Sequence, residues 1–334
     1  MIGIIAYQGY VPRYRISSKE IKSIWGLSAP GVIEKSVPYR DEGTISMGVA
    51  STLDLFMNTE INLEDIEALY FASVSSPYID KPVSTLLISM FGLRNDIFTT
   101  DIGGSAQSGV MALINCYKYL QNSNKMGLII IADNLVAKPN SVLERSFGCG
   151  AVSLLVGNNN PIAEITGYAT YSSEISDKWK GVNGDYKAAD ERFTREFGYI
   201  PVIKEAITLL IDKVGININE FDHIIIQQPN GKAPEYIAKA LKFEKKKLQT
   251  GLIANVFGDL GSVSVFMGLA KVLDNAKTNE KILIAAYSSG GCHAVSLEVT
   301  PNISNYKSNP SVQYLIENKI NIDYVKYLKL LNLI

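Results

Sequence analysis

Ile61-Asn-Leu-Glu-Asp-Ile-Glu-Ala-Leu-Tyr-Phe71 and Ile216-Asn-Ile-Asn-Glu-Phe-Asp-His-Ile-Ile-Ile226 read as one pattern met twice, 155 residues apart. Each begins as a turn with acidic residues and runs into an apolar strand. Each strand leads to a proline-containing loop (Pro77-Tyr78 and Pro229-Asn230) and then to an amphipathic helix, over Pro82–Phe91 and Pro234–Leu241. Proline suits a first helical turn, where its missing N–H has no partner to lose. A second pair keeps the spacing. The helix expected over 106–121 carries Val110, Leu113, Ile114, Tyr117 and Leu120 at helical intervals and precedes the strand Leu128-Ile-Ile-Ile-Ala-Asp133. The helix expected over 262–275 precedes Ile282-Leu-Ile-Ala-Ala-Tyr287, 154 residues further on. Two segments that agree within one residue imply an internal duplication of a domain-sized unit.

The strands are continuous Ile/Leu/Ala runs, as expected where both faces are covered. Further strands are expected at Gly150–Val156, Ile162–Ala169 and Ala294–Val299. The fold class is therefore α/β, with an N-terminal half over 1–160 and a C-terminal half over 161–334. A polar insertion near 171–197 either borders a site or is a surface excursion. The tail after Ser304 is rich in Tyr, Ile and Leu and is expected to pack onto the body or a partner.

Composition narrows the chemistry. The 334 residues are 47% hydrophobic and 19% charged, with a net charge of −1, which excludes an extensively disordered chain. Thirty-two basic residues balance 33 acidic ones, so a nucleic-acid partner is not expected. The three cysteines (Cys116, Cys149, Cys292) are far apart, and the two histidines (His223, His293) lack ligands at chelating spacing, so no metal is expected. The longest apolar runs fall far short of the roughly 20 residues a membrane helix needs, and the N-terminus reads as a strand. A cytoplasmic location is the expectation.

Several stretches resemble the thiolase superfamily, in particular its ketoacyl synthase III and archaeal hydroxymethylglutaryl-CoA synthase branch. They are Tyr10-Val-Pro-Arg-Tyr-Arg-Ile16, Thr100-Asp-Ile-Gly-Gly-Ser-Ala-Gln-Ser-Gly109, Arg192-Phe-Thr194, Gln227-Gln-Pro-Asn-Gly-Lys232, Gly258-Asp-Leu-Gly-Ser262 and Ile322-Asp-Tyr-Val-Lys-Tyr327. The resemblance covers essentially the whole chain. It implies a thiolase-like fold, an internally duplicated, layered αβαβα architecture, and a homodimer formed through the central sheet. It also implies a cysteine at the start of the central helix, where the helix N-terminus lowers the thiol pKa and the thiol takes up an acyl group. A His and an Asn from the second half would stabilise the oxyanion, and a Glu from the first half would serve as acid/base.

Carried over onto this chain, every one of these positions is changed. The nucleophile position falls on Ala106, the His position on Gln227, the Asn position on Asp259 and the Glu position on Val74. A slip of one residue would substitute Ser105 or Gln107, and a serine there, Ser105 or Ser108, would need an activating base. No catalytic residue is assigned, and the pocket candidates are Ser105, Ala106, Gln227 and Asp259. Lys232, in the Asn-Gly-Lys turn, is a candidate for a CoA phosphate, as are Arg192 and Arg195. The resemblance implies no covalently bound cofactor and CoA or acyl-CoA as the ligand.

A similar loss is seen in one subunit of the diacetylphloroglucinol acetyltransferase complex, which also carries Gln-Gln and Gly-Asp pairs. In that assembly a cysteine-bearing thiolase transfers the acyl group, and a small OB-fold/zinc-ribbon protein bridges the two. The resemblance thus implies a pseudoenzyme subunit of such an acyltransferase complex. Two other readings stay open: an enzyme of altered chemistry, with Asp259 as base and Gln227 as donor, and a conventional hydroxymethylglutaryl-CoA synthase.

Overall fold

A computed structural model describes residues 1–181 and 184–334; two residues of the insertion, 182 and 183, lie outside the described set. Along the chain run β1 (Gly3–Tyr10), β2 (Tyr14–Ser17), α1 (Ser18–Trp25), β3 (Glu34–Val37), α2 (Thr44–Met57), β4 (Ile66–Ala72), α3 (Val83–Phe91) and β5 (Phe98–Ile102). Then follow α4 (Ser108–Tyr119), β6 (Met126–Asn134), β7 (Cys149–Gly157), β8 (Ala163–Ser172), the short strands β9 (Lys178–Lys180) and β10 (Tyr186–Ala188), a helical turn α5 (Glu191–Phe193) and α6 (Ile200–Val214). The remainder comprises β11 (His223–Ile226), α7 (Ala233–Leu241), α8 (Lys246–Gln249), α9 (Ala254–Phe257), α10 (Ser264–Leu273), β12 (Lys281–Ser288), β13 (Gly291–Val299), α11 (Val312–Glu317), β14 (Ile320–Ile322) and α12 (Tyr324–Leu330).

The main sheet has the order β11-β12-β13-β8-β1-β7-β6-β4-β5. Its two parts meet at β1 and β8, which pair through Gly3↔Glu164 and Ile4↔Ala163. Side-chain alternation sorts the strands into layers. Leu69, Phe71, Leu128 and Ile130 face the core of α2 and α3. Ala68, Tyr70, Ile129 and Ile131 turn the other way, onto a core they share with α4, α10 and Ile225, Ile282 and Ile284 of the second part. Ile224, Ile226, Leu283 and Ala285 then face α6 and α7. Five layers result, αβαβα, with α4 and α10 sandwiched between strands. This is why the strands are apolar on both faces.

The strand order β1-β7-β6-β4 is matched by β8-β13-β12-β11, but β5 has no counterpart. After α7 the chain forms α8 and α9 instead. The buried Gln228 holds that segment: its Oε1 accepts from Ile253 N (2.9 Å) and Ala254 N (3.0 Å), and its Nε2 donates to the Gly251 carbonyl at 2.8 Å.

The tail packs on the body. β14 pairs with β2, and Tyr324 and Tyr327 of α12 join Ile16, Ile21 and Val37 in a small core. Beneath them lies Lys35, 2% exposed, donating to the Glu144 carbonyl and to Tyr327 Oη at 3.0 Å. Burial pushes the Lys35 pKa down to about 8, although the nearby Glu144 carboxylate opposes the shift. Between that value and the ordinary lysine range the unfolded chain binds the extra proton. Stability should therefore rise from pH 8 to pH 9.5, by at most about 1.4 kcal/mol per unit. Urea unfolding at both pH values should show the rise in the native chain and its loss in Lys35→Met.

Candidate functional site

The first turns of α4 and α10 meet at the centre of the molecule. The chain leaves β5 at Ile102 and reaches α4 through Gly103–Gln107. Ser105 Oγ accepts from Gln107 N at 3.1 Å, and Ser108 N donates to the Ser105 carbonyl at 3.0 Å. Ala106 sits in this turn, 5% exposed. Gln107 Nε2 reaches the Ser288 carbonyl at 2.9 Å. Gly109 lies against α10: a Cβ there would stand 3.0 Å from the Ser262 carbonyl and 2.8 Å from the Phe266 ring.

The second turn, Gly258–Val263, carries the other candidates. Gly258 has φ +80°, and an added Cβ would run into the Ser146 carbonyl and approach Lys35 Cβ at 2.9 Å. Gly258→Ala is therefore expected to cost about 2–4 kcal/mol, read as a lower urea midpoint with the slope unchanged. The Asp259 backbone is clasped between Ser146 O (2.6 Å) and Gly148 N (2.9 Å). Its carboxylate is 2% exposed; Oδ1 accepts from Gly261 N at 2.9 Å and from Ser264 Oγ at 3.3 Å. The other oxygen lies 3.7 Å from Lys178 Nζ, on the insertion.

Gln227 extends the parallel pairing beyond β11, donating N–H to the Ala285 carbonyl at 2.8 Å. Its own carbonyl accepts from Tyr199 Oη at 2.5 Å. Its side-chain Nε2 donates to the Gly261 carbonyl at 2.8 Å, while Oε1 is buried without a partner among the described residues. Gln227 and Asp259 thus converge on one glycine, one holding its C=O and the other its N–H.

Asp133, at the end of β6, ties the first half to this turn. Oδ1 accepts from Ser73 Oγ (2.9 Å), Val74 N (2.8 Å), Ser75 N (3.0 Å) and Ser75 Oγ (2.8 Å). Oδ2 accepts from Ser262 N (2.8 Å) and Ser262 Oγ (2.5 Å). Burial pushes its pKa up, while the serine donors pull it down. Val74 gives Asp133 its backbone N–H, and its side chain joins Leu135, Ala137, Phe147 and Tyr186.

The structure brings Gln227 and Asp259 together on Gly261, with Val74 attached through Asp133 and Ser262; Ala106 lies in the turn before α4, whose Gly109 packs against Ser262. Other residues singled out in the sequence lie apart. Lys232 is exposed at the start of α7, lining a cleft of about 460 Å³ with Lys239, Lys242 and Tyr236. Arg192 and Arg195 pair with Glu196 at 3.0 and 3.4 Å. His223, at the far end of β11, lies 2.9 Å from Thr250 Oγ1 and 3.1 Å from Glu280 Oε2. The expected helix start at 106 is displaced to Ser108, because Gly103–Gln107 forms a turn.

The three thiols are all buried. Burial pushes the pKa of Cys116 and Cys292 far up, and that of Cys149 to about 12. Thiols so placed stay protonated at neutral pH and are poor nucleophiles. Among the described residues, no group of three or more His, Cys, Asp and Glu could hold a metal, and no helix is long and apolar enough to cross a membrane.

Two residues of the site are not legible as such in the sequence. Asp133 ends an apolar run, and only its position at a buried strand end hints at a role. Lys178 lies in a polar insertion with no spacing that points to it.

No family model matches the chain. Relatives align over nearly its whole length. The hydroxymethylglutaryl-CoA synthase of Archaeoglobus fulgidus is 35% identical, with 98% of each chain covered. Those of Caldivirga maquilingensis and Methanocaldococcus jannaschii are 33% and 32% identical, each covering 98% of this chain and 97% and 98% of the relative. Among solved structures, MvaS in complex with 3-hydroxy-3-methylglutaryl coenzyme A superposes with a TM-score of 0.89 at 16% identity, over 99% of this chain and 91% of that one. The curacin biosynthetic pathway HMG synthase in complex with holo donor-ACP gives 0.89 at 19% identity, over 99% and 88%. At these identities the two structures speak to the fold.

Proposed function

The chain belongs to the hydroxymethylglutaryl-CoA synthase family, and we propose that it serves there as a pseudoenzyme, the non-catalytic subunit of an acyltransferase complex. Its partners are a cysteine-bearing thiolase and a small OB-fold/zinc-ribbon protein. The observation that carries the reading is the state of the two facing turns. Ala106 stands where the family's acyl-accepting thiol is expected, and alanine forms no thioester.

The donor set is depleted as well. Oxyanion stabilisation needs N–H or O–H groups aimed at the developing charge. Gln227 commits one of its two Nε2 hydrogens to the Gly261 carbonyl, and its Oε1 is a buried acceptor without a partner among the described residues. Asp259 brings an acceptor too, already shared among Gly261, Ser264 and Lys178. The Asp259 carboxylate repels a developing oxyanion, where the family's Asn would donate to it. The fold's interior persists while the groups that react are gone, which suits a binding and organising role. CoA or acyl-CoA is the ligand such a pocket would retain, and the exposed edge strand β5, with Phe98 stacked on Tyr119 at 5.1 Å, is the edge through which a homodimer would form.

Affinity purification of the native chain from its own cells tests this. A thiolase and a small zinc-ribbon protein should co-purify in fixed ratio. Recovery of the chain alone, turning over acetyl-CoA and acetoacetyl-CoA, would contradict it. Loss of such turnover in Asp259→Asn would instead support a synthase or acyltransferase with an altered active site.

A further inference from the structure

Asp259 carries a carboxylate that is 2% exposed in the middle of the fold. A charge so placed is costly unless it is paired. Two backbone and hydroxyl donors reach one oxygen; the other faces the ammonium of Lys178, 3.7 Å away. Lys178 does not belong to the turn or to the main sheet. It stands on β9, paired with β10 through Ala188↔Lys178 and Lys187↔Trp179.

The surroundings aim Lys178 at that carboxylate. Its neighbour Asp177, 3% exposed, accepts from Tyr287 Oη at 2.5 Å and from Ser289 Oγ at 2.8 Å, which pins the hairpin root to the end of β12. Ser289 Oγ also contacts the Lys178 carbonyl. The ammonium passes over the Phe147 ring, 5.4 Å from its centroid. Tyr186, on β10, meets the same ring edge-on at 5.0 Å. Phe147 in turn bridges to Asp259 along the backbone.

We propose that Lys178 is a positioning residue: it supplies the counter-charge for Asp259, and through this pair the β9–β10 hairpin is fastened across the candidate site. The pair does this whether or not the site handles an acyl group. The consequence is a cover over Asp259 and Phe147 whose opening is coupled to one ion pair. The hairpin and the Gly258–Val263 turn, far apart in sequence, then open together.

Hydrogen–deuterium exchange on the full chain tests the coupling, followed in peptides spanning β9 and β10. Lys178→Met and Asp259→Asn should each speed exchange there by about tenfold or more, leaving β1 and β7 protected. The double variant should be no faster than either single one, because both remove the same interaction. Lys178→Arg should stay within about threefold of the native rate, since it restores the charge. Native exchange in Asp259→Asn, or additive effects in the double variant, would overturn the proposal. Should Lys178→Met fail to fold, Asp259→Asn and Lys178→Arg still decide it.

Discussion

Asp133→Ala is expected to cost about 3–5 kcal/mol of stability, read from the shift in urea midpoint at unchanged slope. The carboxylate takes six donors from two distant segments: Ser73–Ser75 of the first half and Ser262 of the second. Alanine removes this acceptor from all six; Ser75 N keeps Ser73 Oγ at 3.0 Å, and each donor left buried without a partner costs about 1–3 kcal/mol before relaxation and water entry reduce the sum. Asp133→Asn keeps the volume but turns an N–H toward donors, so an intermediate loss is expected. Gly261 sharpens the effect. A Cβ there would lie 2.6 Å from Asp133 Oδ2, so the carboxylate and the turn already touch. A loss under 1 kcal/mol in Asp133→Ala would show that the two halves are not joined through this group.

If the chain is the pseudoenzyme proposed, Ala106→Cys is expected to give it a nucleophile that takes up an acyl group. The thiol would sit just before α4, a helix of 12 residues whose amide end favours a thiolate. Alone, it would react slowly with acetyl-CoA, because Asp259 supplies no donor and Gln227 has one Nε2 hydrogen tied to the Gly261 carbonyl. Adding Gln227→His and Asp259→Asn restores donors, and the loss of one oxyanion donor in other enzymes costs about 10²–10³ in rate. The triple variant should therefore acylate at least about a hundredfold faster than Ala106→Cys. Intact-protein mass spectrometry over time reads both rates. Equal rates would mean that Gln227 and Asp259 do not address the site next to Ala106.

Much of this fold is legible in the sequence because its layers write themselves as patterns. Runs such as Leu128–Ala132 are apolar at every position because their two faces meet different cores. The helices α4 and α10 repeat at matching intervals because they occupy one shared layer. What escapes the sequence is what side chains replace. The missing partner of β5 cannot be anticipated, because a single glutamine, Gln228, does the work of strand pairing for 251–254. At the site, Ala106, Gln227 and Asp259 are singled out only through the resemblance to the family. Their wiring does not: that Gln227 and Asp259 grip the same glycine, and that Lys178 answers Asp259, depends on contacts across 34 and 81 residues of chain.

The most direct measurement is the intact mass of the purified native chain after incubation with excess acetyl-CoA. The chain should keep its unmodified mass at every time point, while Ala106→Cys treated alongside gains one acetyl group, reversed by hydroxylamine as a thioester would be. An acetyl group that accumulates on the native chain and is lost on dilution into acceptor thioester would contradict the account, since the chain would then carry a working nucleophile of its own.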